Sequence, residues 1–514
     1  MISVAFVTLG CPKNEVDTAA MKALVEASAY ILSDEVASAD VVVVNTCSFI
    51  STATEASIET ILDLAAERGD LPARLVATGS GSAAGRLAME PGLDVGRGQT
   101  DCSLKTVHTD CFPGARTPLG APLPQRSQIL LVAGCMVNRY GAQELEGELP
   151  EVSAFVPIEG ESDLLRVIEE QTGVAASVAP GGEAKATPDV GSGSPADVAC
   201  DEGSASAPAS AYLMIADGCD RVCSFCTIPA IRGPYRSKTP DELVAQARKL
   251  VASGVRELVL IAQDTTAYGH DLPDRPTLAS LVARLCDETD LAWLRLMYLQ
   301  PEGVTDELID VVAAHPQVVR SFEMPLQHSS ERILRAMNRA GGRTRFAALI
   351  ATLRNRLPGL ALRTTLIVGF PGETEEEFND LLDFVRQMRF DYVGVFPYSP
   401  EDETPAAELP AQLDEDVRLA RAQLVRDAAD EIGWERAAAH VDQTIPVLIE
   451  AFDAEEGCFL GRASFQAPDI DGQVRIVAEE GARPDISLNA IMRVRIQDAL
   501  LYDLEGILDD ERRG

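Results

Sequence analysis

The stretch "YLMIADGCDRVCSFCTIP", residues 212–229, runs an apolar strand pattern straight into three cysteines, Cys219, Cys223 and Cys226, spaced C-x3-C-x2-C. A structural zinc site usually takes four ligands in two pairs, and no fourth Cys or His lies near this trio. Three thiolates on a four-iron cluster leave one iron open, and a substrate or cofactor can bind there. The trio also follows a strand directly, and barrels of the (β/α) kind build their active sites at the carboxyl ends of strands. The stretch therefore predicts a catalytic cluster in the mouth of a barrel, in preference to a structural zinc or incidental thiols.

Downstream, "ELVLIAQD", "WLRLMYL", "SFEMPL", "LRTTLIV" and "YVGVF" read as further strands, separated by helical stretches such as "TPDELVAQARKLVASG" and "TEEEFNDLLDFVRQM". Six strand-helix repeats predict a partial (β/α)6 barrel over 211–436, closed by the long helical run "DEDVRLARAQLVRDAADEIGWERAAA". After it, "TIPVLIEAF", "CFLGRAS", "QVRIVAE" and "IMRVRIQDA" are short strands with turn residues between them, the pattern of a small β-barrel over 437–508.

Upstream, "SVAFVTLGC" and "ADVVVVNTC" are strands that end at Cys11 and Cys47, and four consecutive valines fit a parallel strand covered on both faces. Strands alternating with helices predict an α/β domain with an open parallel sheet over 1–172, and ligands of such sheets sit beyond the carboxyl ends of the strands. Residues 173–210 are a flexible linker, because 26 of these 38 are Gly, Ala, Ser or Pro. Cys200 inside it is read as incidental.

One phrase occurs twice. "ILLVAGCMVNRYG", residues 129–141, carries Cys135, whereas "RLVATGSGSAAG" from Arg74 has Ser80 at the matching place. Removing 80–134 joins "ARLVATG" to "CMVNRYGAQELEGELPEV" without a break, so 80–134 reads as an insertion that moves Cys135 to 88 residues beyond Cys47. Either the second copy takes the sheet position or both copies coexist. Only the second copy offers a thiolate, at Cys135.

At 514 residues and 46% hydrophobic content the chain is sized for about three domains. Asp plus Glu number 80 against 44 Lys plus Arg, a net charge of −36 that repels phosphate backbones and suits a basic protein partner. Eleven cysteines, an odd and unevenly spaced set, do not form a disulfide framework. No charged-then-apolar signal segment opens the sequence, and no apolar run approaches the roughly 20 residues of a membrane span, so a soluble cytoplasmic protein is expected.

With these residues in view, the chain resembles the radical S-adenosylmethionine enzymes. Phe225 fits the aromatic usually found before the last cysteine, and "LIVGFPGETEEEF" from Leu366 looks like the family's glycine segment beside the adenine. The resemblance implies that Phe225, Gln327, Gly369 and Gly372 line the S-adenosylmethionine site. A cysteine-bearing N-terminal α/β domain, a radical domain and a small C-terminal barrel of the TRAM kind together resemble the methylthiotransferases. In that family a second four-iron cluster sits on three N-terminal cysteines, which match Cys11 in "TLGCPKNEVD", Cys47 in "VVNTCSFI" and Cys135 in "AGCMVNRYG". Apart from the linker and the stretch before Cys135, nearly the whole chain is covered.

The family divides between enzymes that modify adenosine in transfer RNA and those that modify an aspartate of small-subunit ribosomal protein S-twelve. "IPAIRGPYRSK", "LIAQDTTAYG", "MPLQHSSERILRAMNR" and "GRASFQAPDIDG" resemble the latter, while the transfer-RNA branch is similar to "QSGS" where this chain has "QHSS". Charge agrees independently. Residues 437–508 hold five arginines, no lysine and thirteen Asp or Glu, which should repel RNA and suit a lysine- and arginine-rich protein.

The resemblance implies two 4Fe–4S clusters, a methylthio group assembled at the N-terminal one, and a radical made from S-adenosylmethionine at the other. That radical would take hydrogen from the β-carbon of the aspartate, with a flavodoxin or ferredoxin as electron donor. The cofactors carry the chemistry, so no protein acid or base is expected. A non-catalytic iron-sulfur scaffold or redox sensor would not need the glycine segment, and an RNA adaptor would not carry this barrel's charge.

The remaining candidates read blandly. Cys286 and Cys458 are taken as small buried hydrophobes. Cys102, Cys111 and His108 have no recognised metal spacing. His328 is either a core residue or part of the site, and Glu375, Glu376 and Glu377 fit the first turn of a helix, where the dipole favours acids.

Overall fold

The structure is a computed structural model that describes residues 1–68, 128–176, 208–477 and 486–509. Ser80, Cys102, His108, Cys111, Cys200 and most of the expected insertion and linker lie outside the described residues. By contact the chain divides into two bodies, one of Met1–Gly10 with Leu24–Ser194, the other of Cys11–Ala23 with Pro195–Gly514.

The first body is built on a five-stranded parallel sheet ordered β2-β1-β3-β4-β5. Its strands are β1 (Ser3–Thr8), β2 (Ile31–Leu32), β3 (Val41–Thr46), β4 (Ile129–Gly134) and β5 (Ala154–Val156). Helix α1 (Pro12–Glu26), most of which counts with the second body, follows β1, α2 (Ser51–Glu67) follows β3, and the short α3 (Cys135–Tyr140) follows β4. The valine run is central and buried over its whole length, as a strand covered on both faces must be. Helix α2 buries Ile58, Ile61 and Ala65, one stripe at three- to four-residue spacing, against Val42, Val44, Leu130 and Val132.

The doubled phrase resolves here. Ile129–Gly134 holds the place beside β3, paired in register from Val41↔Ile129 to Thr46↔Gly134. The second copy therefore occupies the sheet position, and the first copy, 74–79, falls outside the described residues.

The second body carries a six-stranded all-parallel sheet ordered β13-β12-β11-β10-β9-β6. The strands are β6 (Ser210–Met214), β9 (Glu257–Ile261), β10 (Trp293–Leu296), β11 (Val318–Glu323), β12 (Ala361–Val368) and β13 (Tyr392–Pro397), in the six places where the sequence puts them. Between β6 and β9, a two-stranded ladder of β7 (Ala216–Asp217) and β8 (Arg236–Ser237) closes the base of the loop that carries the three cysteines. A two-residue ladder has no period to read, and the sequence did not reveal it.

The expected long helix spans Glu415–Ala438. It leads into a closed barrel of β14 (Thr444–Asp453), β15 (Cys458–Ala463), β16 (Val474–Ile476), β17 (Ile491–Leu500) and β18 (Asp503–Leu508). The sequence predicts four of these strands. β18 was missed because only two residues, Leu501 and Tyr502, separate it from β17.

One ionic knot fixes this barrel to the parallel sheet. Glu257, at the start of β9, is wholly buried and accepts from Arg295 Nε at 2.7 Å and from Arg462 Nη2 at 2.6 Å. Burial opposes its charge, but the two guanidiniums outweigh burial and hold the carboxyl below the usual range. Arg462 also donates to Glu450 and Ser210, and Arg295 to the carbonyl of Ser464. Replacing Glu257 by alanine would leave the buried Arg295 without its carboxylate and Arg462 with Glu450 alone, so Glu257→Ala should cost about 3–5 kcal/mol in urea unfolding. A loss below about 1 kcal/mol would show that the knot carries little.

Candidate functional site

Six parallel strands end on one side, and their carboxyl ends gather the cysteine loop with several charged and polar side chains. The cysteine loop leaves β7 through Gly218, whose φ of +80° only glycine adopts freely. A Cβ there would also stand 2.1 Å from the carbonyl oxygen of Pro234. The loop is then pinned by backbone bonds, Cys219 N to Gly233 O at 3.1 Å, Ser224 N to Met337 O at 3.1 Å and Ala406 N to Ser224 O at 2.8 Å.

The three thiols share one electrostatic neighbourhood. Burial raises the Cys226 thiol to about 12, with the charges of Cys223 and Cys219 adding to it, and burial also raises that of Cys219. Arg339 places Nη1 3.9 Å from the Cys223 sulfur, a cation able to offset thiolate charge. Among the described residues no three His, Cys, Asp or Glu stand ready around a single metal ion. A four-iron cube takes one thiolate per iron, so its ligands need not converge on a point.

Arg221, inside the loop, ties it back to the strand ends. Its Nε donates to Asp264 Oδ2 at 2.6 Å just beyond β9, and its Nη1 donates to Glu302 beyond β10. Arg221, Asp264, Glu302 and Arg339 do not stand out in the sequence. The available signal was charged residues placed inside the cysteine loop and directly after strands, as in "AQD" and "QPEG".

The expected S-adenosylmethionine residues lie at the same strand ends. Phe225 is part-buried against the core. Gln327 has φ +69°, its N–H donates to Thr365 O at 2.9 Å, and its carbonyl accepts from Ile367 N at 2.8 Å, which zips it onto β12. Gly369 has φ +72°, where a Cβ would stand 2.5 Å from the Arg418 side chain, and Gly372 follows at φ +75°. The Gly369 N–H donates to Glu373 Oε2 at 2.8 Å.

His328 belongs to the same unit. It is fully buried, its Nδ1 accepts from Ser330 N at 2.9 Å, and its Nε2 stands 3.4 Å from Glu373 Oε2, while Arg421 donates to Glu373 Oε1 at 2.6 Å. One buried carboxylate thus holds the glycine segment, with the His328 ring close beside it. Glu377 forms a capping box with Thr374 at the start of the helix Glu375–Met388, the helix turn that the sequence suggests for the three glutamates.

Buried carbonyl oxygens without a partner mark the same edge: Oε1 of Gln263, Gln300 and Gln327, close after β9, β10 and β11. Such orphans are costly unless a ligand satisfies them. Three thiols, an open strand-end edge and unsatisfied acceptors fit a four-iron cluster with a polar cofactor beside it.

In the first body, Cys47 and Cys135 directly follow β3 and β4, whose last residues, Thr46 and Gly134, are register partners. Both cysteines are buried. Ser57 Oγ accepts from Cys47 N at 3.2 Å and donates to Cys47 O at 2.8 Å, and Gly134 turns the chain at φ +92° where a Cβ would meet Asn45 Oδ1 at 2.2 Å. Cys11 follows β1 by three residues and sets its sulfur 3.6 Å from Asn14 Oδ1. Cys286 and Cys458 are buried outside these groups.

Comparison with known proteins gives this arrangement its setting. Residues 213–385 match the Radical SAM superfamily, residues 441–508 the TRAM domain, and residues 3–86, which end before Cys135, an uncharacterized protein family, UPF0004. The chain is 38% identical over 504 residues to the ribosomal protein uS12 methylthiotransferase RimO of Geobacter sulfurreducens, covering 98% of each. It is 36% identical to that of Pelotomaculum thermopropionicum, covering 98% of this chain and 99% of the relative. The chain belongs to the uS12 methylthiotransferase family.

It is therefore a radical S-adenosylmethionine methylthiotransferase that uses an iron-sulfur cluster and S-adenosylmethionine. A solved methyltransferase of the superfamily, TsrM from Kitasatospora setae, matches with a TM-score of 0.46 at 14% identity, over 78% of this chain and 74% of that one. Among the described residues no helix is long and apolar enough to cross a membrane.

If Asp264 holds the cysteine loop through Arg221, Asp264→Asn should let a chelator strip iron about 10–100-fold more readily while far-ultraviolet circular dichroism stays unchanged. Unaltered iron retention would show the clamp to be idle.

Proposed function

We propose that the chain attaches a methylthio group to the β-carbon of an aspartate in small-subunit ribosomal protein S-twelve, using two 4Fe–4S clusters. The observation that carries this reading is full-length similarity to uS12 methylthiotransferases, joined to the pairing that sets Cys47 and Cys135 at adjacent strand ends. When bound, a reduced four-iron cluster with S-adenosylmethionine supplies a carbon radical able to break an unactivated C–H bond.

The chain's own part is to hold and to shield. Cys219, Cys223 and Cys226 would bind that cluster, Arg339 would offset thiolate charge, and Arg221 would fix the loop. Phe225, Gln327, Gly369 and Gly372 would flank the cofactor. Cys11, Cys47 and Cys135 would hold the second cluster, where the sulfur to be transferred resides. A flavodoxin or ferredoxin would supply the electron.

The substrate reading draws support from charge. The acidic C-terminal barrel repels a phosphate backbone and attracts a basic ribosomal protein, which disfavours the transfer-RNA alternative.

Mass spectrometry of ribosomal protein S-twelve from cells with and without the gene tests the proposal. One aspartate should carry a methylthio mass gain only when the gene is present, and a Cys223→Ala copy should not restore it. An unmodified protein in both strains, or restoration by Cys223→Ala, would overturn the reading.

A further inference from the structure

Two residues beyond Cys11, Lys13 is buried, 8% exposed, with its ammonium 3.3 Å above the centroid of the Tyr298 ring. Among the described residues it forms no hydrogen bond or ion pair. A desolvated ammonium has three donors to satisfy, and a ring face satisfies at most part of that need. The acidic groups within electrostatic reach are Cys11, itself a proposed iron ligand, then Glu323 and Asp217, and both carboxylates are engaged elsewhere. Glu323 faces Arg363 at 3.9 Å and accepts from Tyr298 N at 3.3 Å, while Asp217 accepts from Gln263 at 2.7 Å and faces Arg232 at 3.6 Å. Arg232 in turn pairs with Asp17 at 2.7 Å.

A second observation points the same way. Tyr298, just past the carboxyl end of β10, is held at φ +59°, as Gln327 beyond β11 is at +69°. A bulky residue in the left-handed region costs energy, and such strain persists where a fixed side-chain position is needed. Here it presents the ring beneath Lys13, at the strand ends where Gln263, Gln300 and Gln327 leave buried oxygens unsatisfied.

We infer that the Lys13 ammonium, seated on Tyr298, binds a ligand carboxylate, that of the target aspartate. The inference rests on the substrate reading above. In an aspartate the β-carbon is bonded directly to the carboxylate carbon, so one charged contact fixes the reacting carbon. Lys13 stands two residues after Cys11, a proposed ligand of the sulfur-bearing cluster. The carboxylate of S-adenosylmethionine shares this chemistry and is the competing source.

The test measures binding of purified ribosomal protein S-twelve, as wild type and with the target aspartate changed to asparagine, to the anaerobically reconstituted full chain. Wild-type enzyme should bind the aspartate form roughly thirty-fold more tightly than the asparagine form. Lys13→Met with unchanged iron content should lose that discrimination, Lys13→Arg should keep part of it, and affinity for S-adenosylmethionine should stay the same. Equal binding of both substrate forms by wild-type enzyme, or retained discrimination in Lys13→Met, would overturn the inference. So would lost S-adenosylmethionine binding with discrimination intact, which assigns the ammonium to the cofactor. If the wild-type chain neither binds nor modifies ribosomal protein S-twelve, the substrate reading fails and takes this inference with it.

Discussion

A parallel strand delivers whatever follows it to a single edge of the sheet, and this constraint organises both bodies of the molecule. In the first body, Cys47 and Cys135 follow neighbouring strands whose last residues are paired in register. In the second, the cysteine loop, Asp264, Tyr298, Gln327 and Gly369 all come within a few residues of carboxyl ends. Residues scattered over hundreds of positions in the chain are placed by topology before any specific contact is made.

Specific contacts then fix what topology only gathers. Arg221 ties the cysteine loop to the ends of β9 and β10, and Glu373 joins His328, Arg421 and the amide of Gly369 in one buried group. At the far end of β9, Glu257 locks the C-terminal barrel to the sheet through Arg295 and Arg462. That barrel is thus a fixed part of the second body, and the acidic surface it carries stays in one orientation toward whatever substrate approaches the sheet.

Much of this was legible in the sequence. All six sheet strands of the second body carry apolar runs bounded by turn residues, and the valine run of β3 announces its burial. The cysteine trio points to a cluster by its spacing, its lack of a fourth ligand and its place after a strand. What escaped was set by contacts between residues far apart in the chain. The β7–β8 ladder is too short to have a period, β18 is hidden by a two-residue turn, and Arg221, Asp264 and Lys13 look like ordinary surface charges until folding buries Asp264 and Lys13 and half-buries Arg221. His328 could not be placed from sequence, because its role comes from a glutamate 45 residues away. The doubled "VAG" phrase was ambiguous for the same reason, and the register of β4 against β3 decided it.

The central claim is that two separate sets of three cysteines each hold a four-iron cluster, with Cys135 serving the N-terminal set despite the long insertion before it. Iron counted in anaerobically reconstituted chain, beside the Cys135→Ala variant, tests it most directly. About eight irons per wild-type chain and about four in the variant are expected. About four irons in both would contradict it, leaving the cluster on Cys219, Cys223 and Cys226 as the only one.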